Sequence, residues 1–243
     1  MGVGDCPVKI PSAKNHVSVI VPVFNGSAHI RQALLSVLRE LHPHDELIVV
    51  DDCSTDNSCQ LIEIVQSSDP HNRVQLLRNP NNVGPAAARN SAIIQASREI
   101  IMSIDQDDLW CNGHRDALVV GLHSARIAIG RQSFVLLESE ELEKSKKWWR
   151  DAWLDQPQRA YVFGASAIYR DCFEEYGLLD PQLRFGCDDV EWFGRSRQEN
   201  VKVKEIDEVV LVRKIHGSNL SANGNYHREL IGVLRSRLSK PEI

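Results

Sequence analysis

VSVIVPVF, from Val17 to Phe24, is the stretch whose reading decides the fold. It is short, apolar and rich in β-branched residues, the pattern of a strand buried on both faces of a parallel sheet. Just downstream, Ile30, Ala33, Leu34, Val37, Leu38 and Leu41 recur at helical spacing and stop before Pro43. An amphipathic helix is expected there. ELIVVD (Glu46–Asp51) reads as a second strand, and Ser54-Thr55-Asp56-Asn57 supplies capping chemistry for the helix after it. Arg73–Leu77 reads as a third strand, Pro85–Ala96 as a helix and EIIMSI (Glu99–Ile104) as a fourth strand. Strands alternating with helices at this pitch build parallel βαβ units. The expected class is α/β, a mostly parallel, Rossmann-like sheet flanked by helices.

Composition narrows the options. A chain of 243 residues fits one large α/β domain with a helical appendage. Its formal net charge of −5 argues against nucleic-acid binding through bulk charge. No apolar run approaches the roughly 18 residues that span a bilayer, and residues 1–16 read as a loose leader without a signal peptide's apolar centre. The six cysteines contain no C-x-x-C pair, which favours free thiols in a reducing compartment and a cytoplasmic chain.

Beyond residue 110 the pattern weakens. Ala117–Ile129 is expected to be helical and Phe134–Leu137 a strand, with further strands at Tyr161–Tyr169 and Val209–Val212. Trp148, Trp149 and Trp153 offer either a platform for a sugar face or core packing. The tail, residues 222–243, reads as a helix with Leu230, Ile231, Leu234 and Leu238 on one stripe and Arg228, Arg235, Arg237 and Lys240 beside it. That stripe packs on the domain, or meets a second subunit or an anionic membrane at its periphery.

The acidic residues fall in places that carry chemistry. Asp51-Asp52 closes the second strand, and Asp105-Gln106-Asp107-Asp108 closes the fourth. In open parallel sheets ligands bind beyond the carboxyl ends of the strands. Carboxylates crowded there repel unless a cation joins them, and oxygen ligands suit hard ions such as Mn²⁺ or Mg²⁺.

VSVIVPVFN, IVVDDCSTDNS, NNVGPAAARNSAI, IDQDDLW, FGASAIYR, GLLDPQLRFGCDDVEW and RKIHGSNLS occur in this order between Val17 and Ser221. Together they resemble the family 2 glycosyltransferases, inverting enzymes of the GT-A fold. The resemblance implies one domain over residues 17–221, with a nucleotide-sugar half (17–108) and an acceptor half (109–221). It implies a nucleotide-sugar donor, UDP-linked by default, and an acceptor hydroxyl on a glycan, lipid-linked sugar, protein or small molecule. Pro22, Phe24 and Asn25 are then expected to line the base and ribose pocket, and Asp52 to hydrogen-bond the nucleobase. Gly84 and Arg89 match the segment over the nucleotide, where Arg89 offsets phosphate charge. Asp105 and Asp107 form the D-x-D pair, and Asp107, Asp108 and His216 are the expected metal-side residues.

Within GCDDVEW, Asp189 matches the general base of the transfer, and Asp188 stands where many relatives carry Glu. Both also suit the start of a helix, where acidic side chains cap. Cys53 departs from the glycine usual in the VDDGSTD turn. Two other functions compete: a nucleotidyltransferase, for which PVFNGSAH is a poor phosphate loop, and a nucleotide-sugar-binding protein without turnover.

Overall fold

A computed structural model describes residues 15–137, 156–159, 161–217, 219–220 and 224–238. The order along the chain is β1 (Val17–Val23), α1 (Ile30–Glu40), β2 (Glu46–Asp51), α2 (Ser58–Ser68), β3 (Val74–Arg78), α3 (Pro85–Gln95) and β4 (Ile100–Ser103). Then follow β5 (Leu109–Trp110), α4 (His114–Gly121), β6 (Ile127–Leu136), β7 (Gln158–Arg159) and β8 (Ser166–Tyr169). The described chain ends with α5 (Asp171–Glu175), α6 (Asp188–Gln198), β9 (Val203–Ile215) and α7 (Gly224–Leu238).

The sheet runs β3-β2-β1-β4-β8-β6-β9-β5, with β7 on the side of β6. β3, β2, β1 and β4 are all parallel, as the opening run predicts. β8 then enters antiparallel between β4 and β6, and β6 pairs β9 in parallel. Burial explains the parallel half. Val17, Val19, Ile20 and Val21 are all enclosed, so side chains on both faces of β1 need cover. α1 supplies Ile30, Ala33, Leu34 and Val37, and α3 lies on β1 and β2 with the small side chains Ala86, Ala88 and Ala92 buried. One hydrophobic cluster runs from Val17 through Leu211 and joins both halves of the sheet.

An ion pair ties the start of β1 to α4. Asp45 is fully enclosed; its carboxylate accepts the Val17 N–H at 2.9 Å, the His42 N–H at 2.7 Å and the Arg115 Nε–H at 2.7 Å. The amide that opens β1, an amide just past α1 and a guanidinium thus share one carboxylate.

Four local expectations change; of the strand expected over Tyr161–Tyr169, Phe163–Ala165 is a 3-10 turn and only Ser166–Tyr169 is extended in the sheet. The helix expected over Ala117–Ile129 is α4, which starts earlier at His114 and stops at Gly121; a 3-10 turn follows, and β6 already begins at Ile127. IAIGRQSFVL is extended because its buried positions are paired on both sides, by β8 and β9. Among the described side chains of α7 the buried one is Val233, packed with Leu183, Cys187, Val190, Tyr226 and Leu230. Ile231 and Leu234 of the expected stripe are 49% and 47% exposed, so the packed face is rotated away from them. Trp148, Trp149 and Trp153 lie outside the described residues. Among the described residues no helix is long and apolar enough to cross a membrane.

Removing one partner of a buried ion pair leaves the other charge uncompensated. Asp45→Ala is therefore expected to lose about 3–5 kcal/mol of unfolding free energy, read as a lower urea midpoint.

Candidate active site

The polar cluster gathers at the carboxyl ends of β1, β2 and β4, facing the start of α6 and the end of β9. Arg89, from the second turn of α3, spans it. Its Nη1 donates to Asp188 Oδ2 at 2.5 Å and its Nη2 to Asp105 Oδ1. Phe163 lies 5.8 Å from the guanidinium, and the side chain is almost enclosed. Arg89 is expected from sequence to meet phosphate, but both its terminal nitrogens are committed to carboxylates. It fixes the spacing between the DQDD turn and α6.

Asp188 is correspondingly a structural partner. It is buried; burial pushes its carboxyl up, against the pull of Arg89. Asp189 sits one residue on, half-buried, with its Oδ1 accepting its neighbour Val190 N–H at 2.7 Å. Burial and the charge of Asp188 push the Asp189 carboxyl up to about 7, against Arg213 and Arg89. α6 is anchored beneath by Trp192, whose Nε1–H donates to Gly177 O at 2.8 Å and whose ring stacks on Phe173 at 4.7 Å.

Asp107 and His216 meet: Oδ2 and Nε2 are 3.0 Å apart. Asn219 Nδ2 also donates to Asp107 Oδ2, at 3.1 Å, and Asn219 Oδ1 accepts the His216 N–H at 2.6 Å. Burial pushes Asp107 up, but the hydrogen bond and charge of His216 outweigh it and hold the carboxyl below the ordinary carboxylate range. Asp108 departs from expectation. It turns into the sheet, where Oδ1 accepts the Lys214 N–H at 3.1 Å and Oδ2 lies 3.6 Å from Arg213 Nε. Burial holds its carboxyl well above the usual range. Adjacent residues point apart, so Asp107 faces the cleft and Asp108 the sheet.

The donor set bears on a cation. Among the described residues no three His, Cys, Asp or Glu side chains converge on one point. Asp107 and His216 do converge, and a hard cation that keeps waters and takes diphosphate oxygens needs only one or two protein ligands. The pair fits that kind of site; Asp105, held by Arg89, and Asp108 stand off it.

On the other flank, Phe24 is 45% exposed at the end of β1, with Pro22 half-buried before it. Asn25 has φ +48 and its Oδ1 accepts the Thr55 N–H at 2.8 Å. Four successive amides of this turn end on side chains: Phe24 on Gln106 Oε1 (2.9 Å), Asn25 on Ser54 Oγ (2.9 Å), Gly26 on Ser58 Oγ (2.8 Å) and Ser27 on Asp56 Oδ2 (3.0 Å). Gln106 Nε2–H returns a bond to Phe24 O at 3.1 Å. A Cβ at Gly26 would lie 2.4 Å from Gln106 Oε1, so a side chain there would displace the Gln106 amide from this turn.

Asp52 is buried, and its oxygens accept from Asn79 Nδ2 (2.8 Å), the Val83 N–H (3.0 and 3.1 Å) and the Gly84 N–H (2.8 Å). The carboxylate expected to read a nucleobase is engaged in shaping the 79–84 loop. Gly84 has φ +92, a region open to glycine.

Several site residues carry no weight in the sequence reading. Arg213 is the clearest: Asp108, Asp105, Asp189 and Asp107 all raise its affinity for its proton. His29, at the entry to α1, stacks on His216 with ring centroids 4.8 Å apart. Both were visible as polar residues near RKIHGSNLS and the β1 turn, but only the fold brings them together.

The family model for glycosyl transferase family 2 matches residues 18–177. The chain belongs to that family. An uncharacterized glycosyltransferase of Haemophilus influenzae is 40% identical over 96 residues, 40% of this chain and 38% of its own length. Staphylococcus aureus TarS 1-349 in complex with UDP-GlcNAc superposes with a TM-score of 0.70 at 17% identity, covering 94% of this chain and 68% of that one. The mannosyltransferase PcManGT of Pyrobaculum calidifontis, in complex with GDP-Man and Mn²⁺, gives 0.70 at 21% identity over 93% of this chain and 65% of that one. The match covers less than two fifths of the curated relative's length. The fold is accordingly the GT-A type expected.

Cys53 has φ +66, a left-handed conformation that costs a side-chain-bearing residue about 1–2 kcal/mol. Cys53→Gly should therefore gain roughly 0.5–1 kcal/mol after glycine's own entropic cost, read as a higher melting temperature. A lower one would mean that the Cys53 thiol, 3.7 Å from Pro80 O, contributes more than its backbone costs.

Proposed function

We propose that this chain transfers a sugar from a nucleotide-diphosphate sugar to an acceptor hydroxyl, inverting the anomeric carbon, with Asp189 as the base. The observation that carries this reading is the place of Asp189 at the start of α6, beside the Arg89–Asp188 pair and in a cleft it shares through Arg213 with Asp105 and Asp107; burial there lifts its carboxyl to about 7. A base with a proton affinity near neutrality is matched to taking an acceptor proton. A single displacement needs no covalent enzyme intermediate, so one such base suffices.

The donor enters between the Phe24 turn and the 79–84 loop, in the 17–108 half. Phe24 offers its exposed ring to the base, and the Asp52-held loop flanks the nucleotide. The 109–221 half presents Asp189 to the acceptor. Asp107 and His216 would hold a divalent cation, Mn²⁺ or Mg²⁺, which would supply positive charge to the leaving diphosphate. Arg213 adds fixed positive charge on the same side. TarS and PcManGT, with bound UDP-GlcNAc and GDP-Man, set the two donors to try first.

Incubation with labelled UDP- and GDP-sugars tests the reading, with transfer or slow donor hydrolysis as the expected result. Asp189→Asn keeps shape and capping but cannot accept a proton. It is expected to lower kcat by about 10²–10⁴ with little change in donor affinity or melting temperature. An early-melting variant with normal turnover per folded molecule would leave Asp189 as a stabiliser of the first turn of α6 only.

A base works deprotonated, so kcat/KM should rise with pH through about 7, the value for Asp189 in the free enzyme, and fall below it. Asp189→Asn should flatten that limb.

Mn²⁺ should raise the melting temperature in the presence of nucleoside diphosphate, since ligands that bind only the folded state stabilise it. Asp107→Asn should lose that increment, and full turnover in excess EDTA would refute the cation's role.

A further inference from the structure

The loop that delivers Asp188 and Asp189 is held by a carboxylate more than forty positions away, on α7. Glu229 Oε1 accepts the Arg184 N–H at 2.7 Å and the Phe185 N–H at 3.2 Å. Its Oε2 accepts the Phe185 and Cys187 N–H groups, each at 3.2 Å. These amides lie in the loop that leads into α6, and the Cys187 N–H, at its N-cap, is one of the helix start's unpaired donors. A carboxylate satisfies several of them at once with charge-assisted bonds and complements the positive end of the helix.

The same loop touches the donor side. Arg184 Nη2 donates to Asn82 O at 3.0 Å and to Asn82 Oδ1 at 2.7 Å, within the loop that Asp52 shapes. Beneath it Cys187, Leu183 and Val233 form a small apolar cluster. Apolar contact provides burial without direction; hydrogen bonds to successive amides set the backbone angles of the residues that lead into Asp188. Asp188 is fixed from the opposite side by Arg89. Asp189 is therefore aimed by two supports: a guanidinium from α3 and a carboxylate from α7.

We infer that Glu229 is a positioning residue for Asp189, and that α7 contributes to catalysis through it. This rests on the sugar-transfer reading. Displacing a reacting group by about 1 Å costs up to about 10² in rate, which sets the scale of the effect.

Glu229→Gln is nearly isosteric, but its NH₂ faces amide donors and loses at least one bond. In the full chain it is expected to speed hydrogen exchange at the amides of Arg184, Phe185 and Cys187. It should lower kcat by roughly tenfold to a hundredfold while the donor KM stays within about twofold. The lower pH midpoint of kcat/KM should move toward the ordinary carboxylate range, because a loosened loop admits water to Asp189. Glu229→Asp, which keeps the charge with a shorter reach, should fall between. Arg228→Gln, on the exposed face of the same helix, should match the wild type.

Unchanged amide protection in Glu229→Gln overturns the inference. So does a variant that melts earlier but keeps its kcat and pH profile per folded molecule. If the wild type turns over no donor, the sugar-transfer reading fails; the exchange measurement still decides whether Glu229 holds the loop.

Discussion

The site depends on Arg89 holding Asp105 and Asp188 together. The two carboxylates come from opposite halves of the chain, one at the end of β4 and one at the start of α6. Asp188 is enclosed and Asp105 partly open to solvent, and without a cation between them the two carboxylates would repel. A planar guanidinium with separate Nη groups serves both at once, which a lysine's single ammonium does less well. Such a bridge adds little net stability, because two charges lose their water to form it. What it adds is definition: the D-x-D turn and the base-bearing helix cannot drift apart without exposing a charge to an apolar neighbourhood that includes Phe163.

The second constraint is that backbone geometry around the cleft is set largely by side chains. Gln106, Ser54, Ser58 and Asp56 take the amides of the turn after β1. Asp52 takes those of the 79–84 loop, and Glu229 those of the 184–187 loop. Each of these loops leaves regular structure, where amides lose ladder partners and need others. Polar residues that look available for ligands in a linear sequence are in several cases already occupied in this way.

This explains what was legible. The parallel half of the sheet was, because buried β-branched runs such as VSVIVPV and ELIVVD leave no other economical reading. The meeting of Asp107 with His216 was legible only through resemblance, since 109 residues separate them. The carboxylate partners of Arg89 were not legible, because nothing in AAARNS indicates that they lie at positions 105 and 188. Glu229 was invisible for a different reason: it binds backbone amides, which every residue has. The buried face of α7 was misread because apolar residues at 230, 231, 233 and 234 support two adjacent stripes, and only the position of Leu183 and Cys187 selects Val233.

The way Asp52 holds the 79–84 loop bears on how such a cleft can diversify. Apart from Asn79, its donors are the main-chain N–H groups of Val83 and Gly84. A support that grips backbone is blind to the identity of the side chain at position 83, so that side chain is free to be exchanged while the loop keeps its course. Mutational drift can then sample new contacts to a base or sugar at this rim without a folding penalty. The buried aspartate acts as a fixed mount on which recognition residues are interchangeable parts.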